Sequence, residues 1–248
     1  MSKSILKALL LSLMISCVIT ENIRAQDKQD TYNTENESLD VKVVGPPSPI
    51  VAPSENQRAM YSYSLGSRLL RENKLEEAEK YLKEAIDLDP LFVDAMDHLG
   101  MVYRRQNRLP EAEEIYLRSI EINKENKVPY LNLAVVYRLQ DRLGDAFRLY
   151  RILIQLNQDD PEGYYGIGEI FYIVGDDGNA MSFFDTAIEL YKNLNSRYIY
   201  DAYFYKGMIY YRMNEYDEAL SYLEEARKGN PNNATIRNTI NEIKRKRN

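Results

Sequence analysis

From Ala59 onward, apolar residues recur three and four positions apart, as in Leu65 and Leu69 and again in Leu82, Ala85 and Leu88. That spacing places them on one face of an α-helix and predicts amphipathic helices rather than strands. The pattern is interrupted at intervals by Asn73, Asn107, Asp141, Gly175 and Asn214. These residue types tolerate the left-handed conformation in which helices end. Each stands five positions before an alanine: Ala78, Ala112, Ala146 and Ala180 are 34 residues apart, and Ala219 follows after 39. Twelve positions before each alanine lies a second small residue, Gly66, Gly100, Ala134, Gly168 and Gly207. A pair of helices joined by a tight turn is thus predicted five times. The two small positions of each unit are expected to face one another, letting the helices approach closely. Pro110 falls in the first turn of a helix, where its missing N–H costs nothing, and Asp89-Pro90, Asp160-Pro161 and Asn230-Pro231 read as a cap followed by a helix-starting proline.

A fixed period of this length means one supersecondary unit copied along the chain, and it resembles the tetratricopeptide repeat. The matching residues include Leu99, Gly100, Tyr103, Ala112 and Tyr116 in the second unit, and Tyr164, Ile167, Gly168, Phe171, Ala180, Phe184 and Ala187 in the fourth. The resemblance implies an all-α fold, an α-α superhelix of five helix-turn-helix repeats at about 59–92, 93–126, 127–160, 161–194 and 200–233. A capping helix is expected over 231–247, with Ile236, Ile240 and Ile243 on its inner face. Departures from the family pattern are Ser62, Ser119, Leu153 and Lys206. Lys206 and the five extra residues around 191–200 put the stacking of the fifth unit in question.

Ahead of the repeats, Lys3 and Lys7 precede an apolar stretch, Ala8 to Thr20, that is too short to span a bilayer. Residues 1–25 therefore read as an export signal. Two processing routes stay open: cleavage after Ala25, or cleavage before Cys17, since Leu13 to Cys17 resembles the lipobox of bacterial lipoproteins and would make Cys17 the acylated residue. Either route implies an exported protein, free in the periplasm or attached to a bacterial envelope membrane only through an N-terminal lipid. Residues 26–56 are polar and carry Pro46, Pro47, Pro49 and Pro53, a composition that reads as an extended linker.

Composition narrows the chemistry. A formal charge of −6 argues against nucleic-acid binding, which needs a basic field to release counterions. Cys17 is the sole cysteine and His98 the sole histidine, so disulfide frameworks, cysteine-based zinc sites and two-histidine metal sites are excluded. No phosphate-binding loop or nucleophile elbow is present, and Gly166-Ile167-Gly168 reads as helix packing. Neither an enzyme nor a cofactor is expected.

What the resemblance implies instead is a concave groove, lined by the first helix of each unit, that takes an extended peptide or a helix of another protein. Carried onto this sequence, its lining is Tyr63, then Asp97, Met101 and Arg104, then Leu131 and Arg138, then Glu162, Tyr165, Glu169 and Tyr172, and finally Phe204 and Tyr211. Tyr and Arg are over-represented among interface hot spots. The lysine- and asparagine-based carboxylate clamp of chaperone-binding relatives is not reproduced, because Tyr63, Ser67, His98 and Val128 occupy its positions and only Asn132 is of the right kind. An alternative is a small ligand or glycan bound by the tyrosine-rich fourth and fifth units.

Overall fold

The computed structural model describes residues 54–247, so the expected leader, Cys17 and nearly all of the expected linker lie outside the described residues. Eleven helices follow one another: α1 (Gln57–Arg71), α2 (Leu75–Leu88), α3 (Val93–Arg105), α4 (Leu109–Ile122), α5 (Lys127–Leu139), α6 (Leu143–Leu156), α7 (Pro161–Val174), α8 (Asp177–Asn193), α9 (Ile199–Arg212), α10 (Tyr216–Gly229) and α11 (Ala234–Lys246). Among the described residues there are no strands.

The turns inside the units are built by the residues whose chemistry predicts them. Asn73, Asn107, Asp141 and Asn214 adopt φ between 57° and 62°, and Gly175 adopts 80°. At each, the residue after the turn donates its N–H back to the helix, as from Lys74 to the Leu69 carbonyl at 2.9 Å and from Arg108 to that of Tyr103 at 2.8 Å, closing a Schellman motif. The same motif ends α8 at Asn195, where Ser196 N–H reaches the Tyr191 carbonyl at 2.9 Å. Helix starts are capped by Asn56, Asn126, Asp160, Asp176 and Asn233, whose side-chain oxygens accept first-turn N–H groups. Of the three Pro dipeptides, only Asp160-Pro161 opens a helix as expected. Asp89-Pro90 and Asn230-Pro231 lie in turns ahead of α3 and α11. Asp89 folds back onto its own chain through its carboxylate, which accepts from Leu91 N–H. In the other turn, the Asn230 carbonyl accepts from Asn233 N–H.

The buried core forms one cluster from α1 to α9 and a second that joins α10 to α11, with the part-buried Tyr203 packed against both. Ala78, Ala112, Ala146, Ala180 and Ala219 are all fully buried. What lies nearest each glycine on the second helix is a large side chain. A Cβ on Gly100 would stand 2.5 Å from the Tyr116 ring, and the equivalent glycines meet Leu82, Phe184 and Leu223. The small first-helix residue therefore makes room for the large second-helix residue four positions after the alanine. In the third unit Ala134 holds the small position, and the Tyr150 ring packs on Gly166 of the next unit, where a Cβ would lie 2.3 Å away.

Neighbouring first helices touch one another, α1 with α3, α3 with α5 and α7 with α9, whereas the second helices have no comparable contact among themselves. The first helices accordingly lie on the inside of the curve and form its concave face. The five extra residues of the fifth interval lengthen α8 to 17 residues, against 14 for each other second helix, and extend the loop after it. α11 closes the array. Ile236, Ile240 and Ile243 are buried against Leu223 and Ala226 of α10, while Arg237, Asn238 and Glu242 face solvent.

Candidate functional site

Each first helix presents the same positions to the concave face, but they do different work along the array. At the first two units, Tyr63 stacks on His98 with ring centroids 5.2 Å apart, and His98 Nδ1 lies 2.7 Å from Ser67 Oγ. Burial lowers the pKa of His98, so its ring is neutral near pH 7. Asp97 turns inward and is only 3% exposed. One of its oxygens accepts from Ser119 Oγ at 2.6 Å and the other from Asn126 Nδ2 at 2.8 Å. Desolvation, only partly offset by these two bonds, raises its pKa to about 6. The departure of Ser119 from the family pattern thus serves a buried carboxylate.

Arg104 remains half-buried on the groove beside the ring of Tyr116. Met101, Leu131 and Phe204 are also half-buried, each leaving part of its apolar surface open.

The fourth and fifth units carry a connected polar and aromatic network. Arg138 forms an ion pair with Glu169, and Tyr205 donates its hydroxyl to the other Glu169 oxygen at 2.8 Å. Glu169 is thereby satisfied from both sides and is only 7% exposed. Tyr165 packs edge-on against Phe184, Tyr191 and Tyr205 at 5.9, 6.3 and 6.0 Å. Tyr191 in turn donates to Glu162 at 3.0 Å. Burial pushes the hydroxyl pKa of Tyr165, Tyr191 and Tyr205 upward and that of the Glu162 carboxyl likewise. Tyr172 lies 5.0 Å from Tyr205 and carries the Arg212 guanidinium over its ring at 4.7 Å. At the far end Tyr211 donates to Glu242 of α11 at 2.6 Å, with Lys246 over its ring.

All twelve sequence-derived positions lie on first helices. Asp97 and Glu169 are withdrawn from the surface, and Tyr165 is largely committed to neighbouring rings. Tyr205, the residue joining Glu169 to Tyr165 and Tyr172, is absent from the sequence-derived set because it stands one position beyond the row containing Tyr165 and Phe204. The only trace of it in the sequence is the aromatic density of α9 itself.

Two of the cavities among the described residues lie elsewhere. One of about 410 Å³ is lined by Phe147, Arg151, Ile154, Tyr164 and Phe183. The other, of about 480 Å³, sits at the lengthened fourth-to-fifth connection beside Arg197, Tyr198, Tyr200, Asp201 and Asn230. Among the described residues no group of His, Cys, Asp and Glu is arranged to hold a metal ion, and no helix is long and apolar enough to cross a membrane.

Models of the tetratricopeptide repeat match residues 63–126, 161–194 and 200–233, together more than half of the chain. No curated protein sequence matches. Among solved structures, the Cut9–Hcn1 hetero-tetramer of the APC/C is similar with a TM-score of 0.69 and 21% identity over 75% of this chain, which spans only 36% of that one. PilF of Pseudomonas aeruginosa is similar with a TM-score of 0.65 and 19% identity, covering 75% of this chain and 88% of its own. YrrB, described as a tetratricopeptide repeat protein with an unusual peptide-binding site, is similar with a TM-score of 0.54 and 22% identity over 77% of this chain and 94% of that one. The likenesses concern the fold, and that fold is in general a scaffold for protein interaction. With the repeats matched in sequence and the superhelix of helix pairs in place, this chain belongs to the tetratricopeptide-repeat family.

Proposed function

We propose that this protein is an exported scaffold of a bacterial envelope that holds a segment of another protein along its concave face. The observation that carries the reading is the lining itself. Met101, Leu131, Tyr172, Phe204 and Tyr211 leave apolar and aromatic surface partly open on successive first helices, interleaved with Arg104 and Arg138. Such anchors, framed by polar groups that fix register, are the composition of protein-binding surfaces. The peptide-binding site of YrrB supports the same use of the fold. The leader supports export, and Cys17 offers a lipid attachment point.

A photoreactive phenylalanine placed at Met101 or Leu131 should cross-link the partner in intact cells, and one at the exposed Glu114 or Glu189 on second helices should not. The reverse pattern would move the binding surface to the convex side. Mass spectrometry of the protein from the envelope fraction tests export: an acylated Cys17 or a start at Gln26 supports it, and an intact Met1 in the cytosol refutes it.

A second reading, a small ligand or glycan, is favoured by the roughly 480 Å³ cavity, where the 57% exposed Tyr198 stands beside Asp201 and Asn230. An exposed ring next to hydrogen-bonding groups suits a sugar face.

A further inference from the structure

The repeat register allows each cation of the groove to be compared with its equivalent one unit away. Arg138 of α5 finds its counter-ion 31 residues on, in Glu169 of α7. Arg104 of α3 stands one 34-residue unit earlier, and the residue 31 positions after it is Val135, which brings no carboxylate. Asp97, two turns back on the same helix, is occupied by Ser119 and Asn126. The Nε of Arg104 is buried without an acceptor, as is that of Arg138, but Arg104 has no ion pair among the described residues, and the missing counter-ion is what sets the two apart. The fully buried Tyr116 hydroxyl lies against Arg104, which is the cation acting on it and brings no negative charge to answer the guanidinium. A buried donor left without an acceptor is costly, and a charged acceptor satisfies it best. Immediately after Arg138 and Tyr172 in sequence, Leu139 and Ile173 are 60% and 54% exposed, and they too are 34 residues apart. Both stand at the C-terminal ends of their first helices, α5 and α7, with most of their apolar surface open.

We propose that the segment held in the groove is acidic and apolar, with a carboxylate pairing with Arg104 and a neighbouring apolar side chain lying on Leu139 and Ile173. The proposal rests on the groove reading above and names the chemistry of its occupant. The partner's carboxylate takes the place that Glu169 fills for Arg138. Non-specific attraction does not account for such a preference, because the chain's own charge of −6 repels an acidic peptide.

The test uses the purified full chain and two fluorescent peptides, acetylated and amidated so that no terminal charge contributes. One alternates leucine with glutamate and its twin alternates leucine with glutamine. The glutamate peptide should bind at least tenfold more tightly by fluorescence anisotropy. Arg104→Gln should abolish that preference. Val135→Glu should abolish it too, by supplying Arg104 with an internal counter-ion, and circular dichroism should show unchanged helicity in both variants. Equal binding of the twins, or a preference that survives both substitutions, overturns the proposal. If the twins bind equally and Tyr172→Ala weakens both, the groove reading stands and only the acidic chemistry falls. If neither peptide binds, or Tyr172→Ala changes nothing, both readings fall.

Discussion

At the scale of single residues, the array spends its polar side chains on its own interior as much as on its surface. Lys206 stands at a normally apolar position, yet it is only 3% exposed, pairs with Asp185 of α8 and holds its ammonium 4.6 Å over the Tyr222 ring. It stitches the fifth unit to the fourth across the lengthened interval. Asp97 is the sharper case, because its pKa of about 6 lies above the ordinary 3.8. The folded state therefore binds its proton more tightly than the unfolded chain. Its contribution to stability is full below about pH 4 and is lost as pH rises through about 6. The gap between the two values amounts to about 3 kcal/mol at neutral pH. Asp97→Asn keeps one acceptor for Asn126 and one donor for Ser119 without the buried charge. Urea unfolding at pH 4 and pH 7.5 should show the variant gaining on its parent by about 2–3 kcal/mol between the two. A difference between the proteins that does not change with pH would mean that Asp97 is not the group titrating there.

At the scale of helices, the spacing of small residues identified the units but not the large side chain that packs on each glycine. Gly66, Gly100, Gly168 and Gly207 could be read as contacts for the alanines, since two small residues twelve apart suggest mutual approach. The structure shows a large side chain nearest each glycine, because the helix crossing brings the residue four after the alanine to that point. Gly100→Leu must therefore displace the Tyr116 ring, which is fully buried. Overpacking of this kind costs about 1–3 kcal/mol. Thermal melts of variant and parent should separate, and coincident melts would refute the α3–α4 packing. The turns, by contrast, were legible residue by residue. A left-handed helix end is decided by the local backbone, which few residues other than Asn, Asp and Gly tolerate.

For the whole molecule, stability is passed from unit to unit, so the ends matter more than in a globular domain. α11 covers Leu223 and Ala226 with three isoleucines on one side and offers charged residues on the other. A chain ending at Asn230 should melt at lower temperature and self-associate, which light scattering after size-exclusion chromatography will read. A monomeric truncated chain with parental melting would show that α11 does not seal the array. The sequence by itself determined the helix-turn-helix period, the turn residues and the amphipathic end helix, because each depends on local backbone preference or on one helix's own periodicity. Only the tertiary structure decided which groove residues stay available. Asp97 and Glu169 share the concave row with Met101 and Arg104, but Ser119 and Asn126 draw in the first, and Arg138 and Tyr205 draw in the second. Those partners lie 22 to 36 residues away in sequence. The row is set by helical spacing, whereas burial is set by what neighbouring units bring against it.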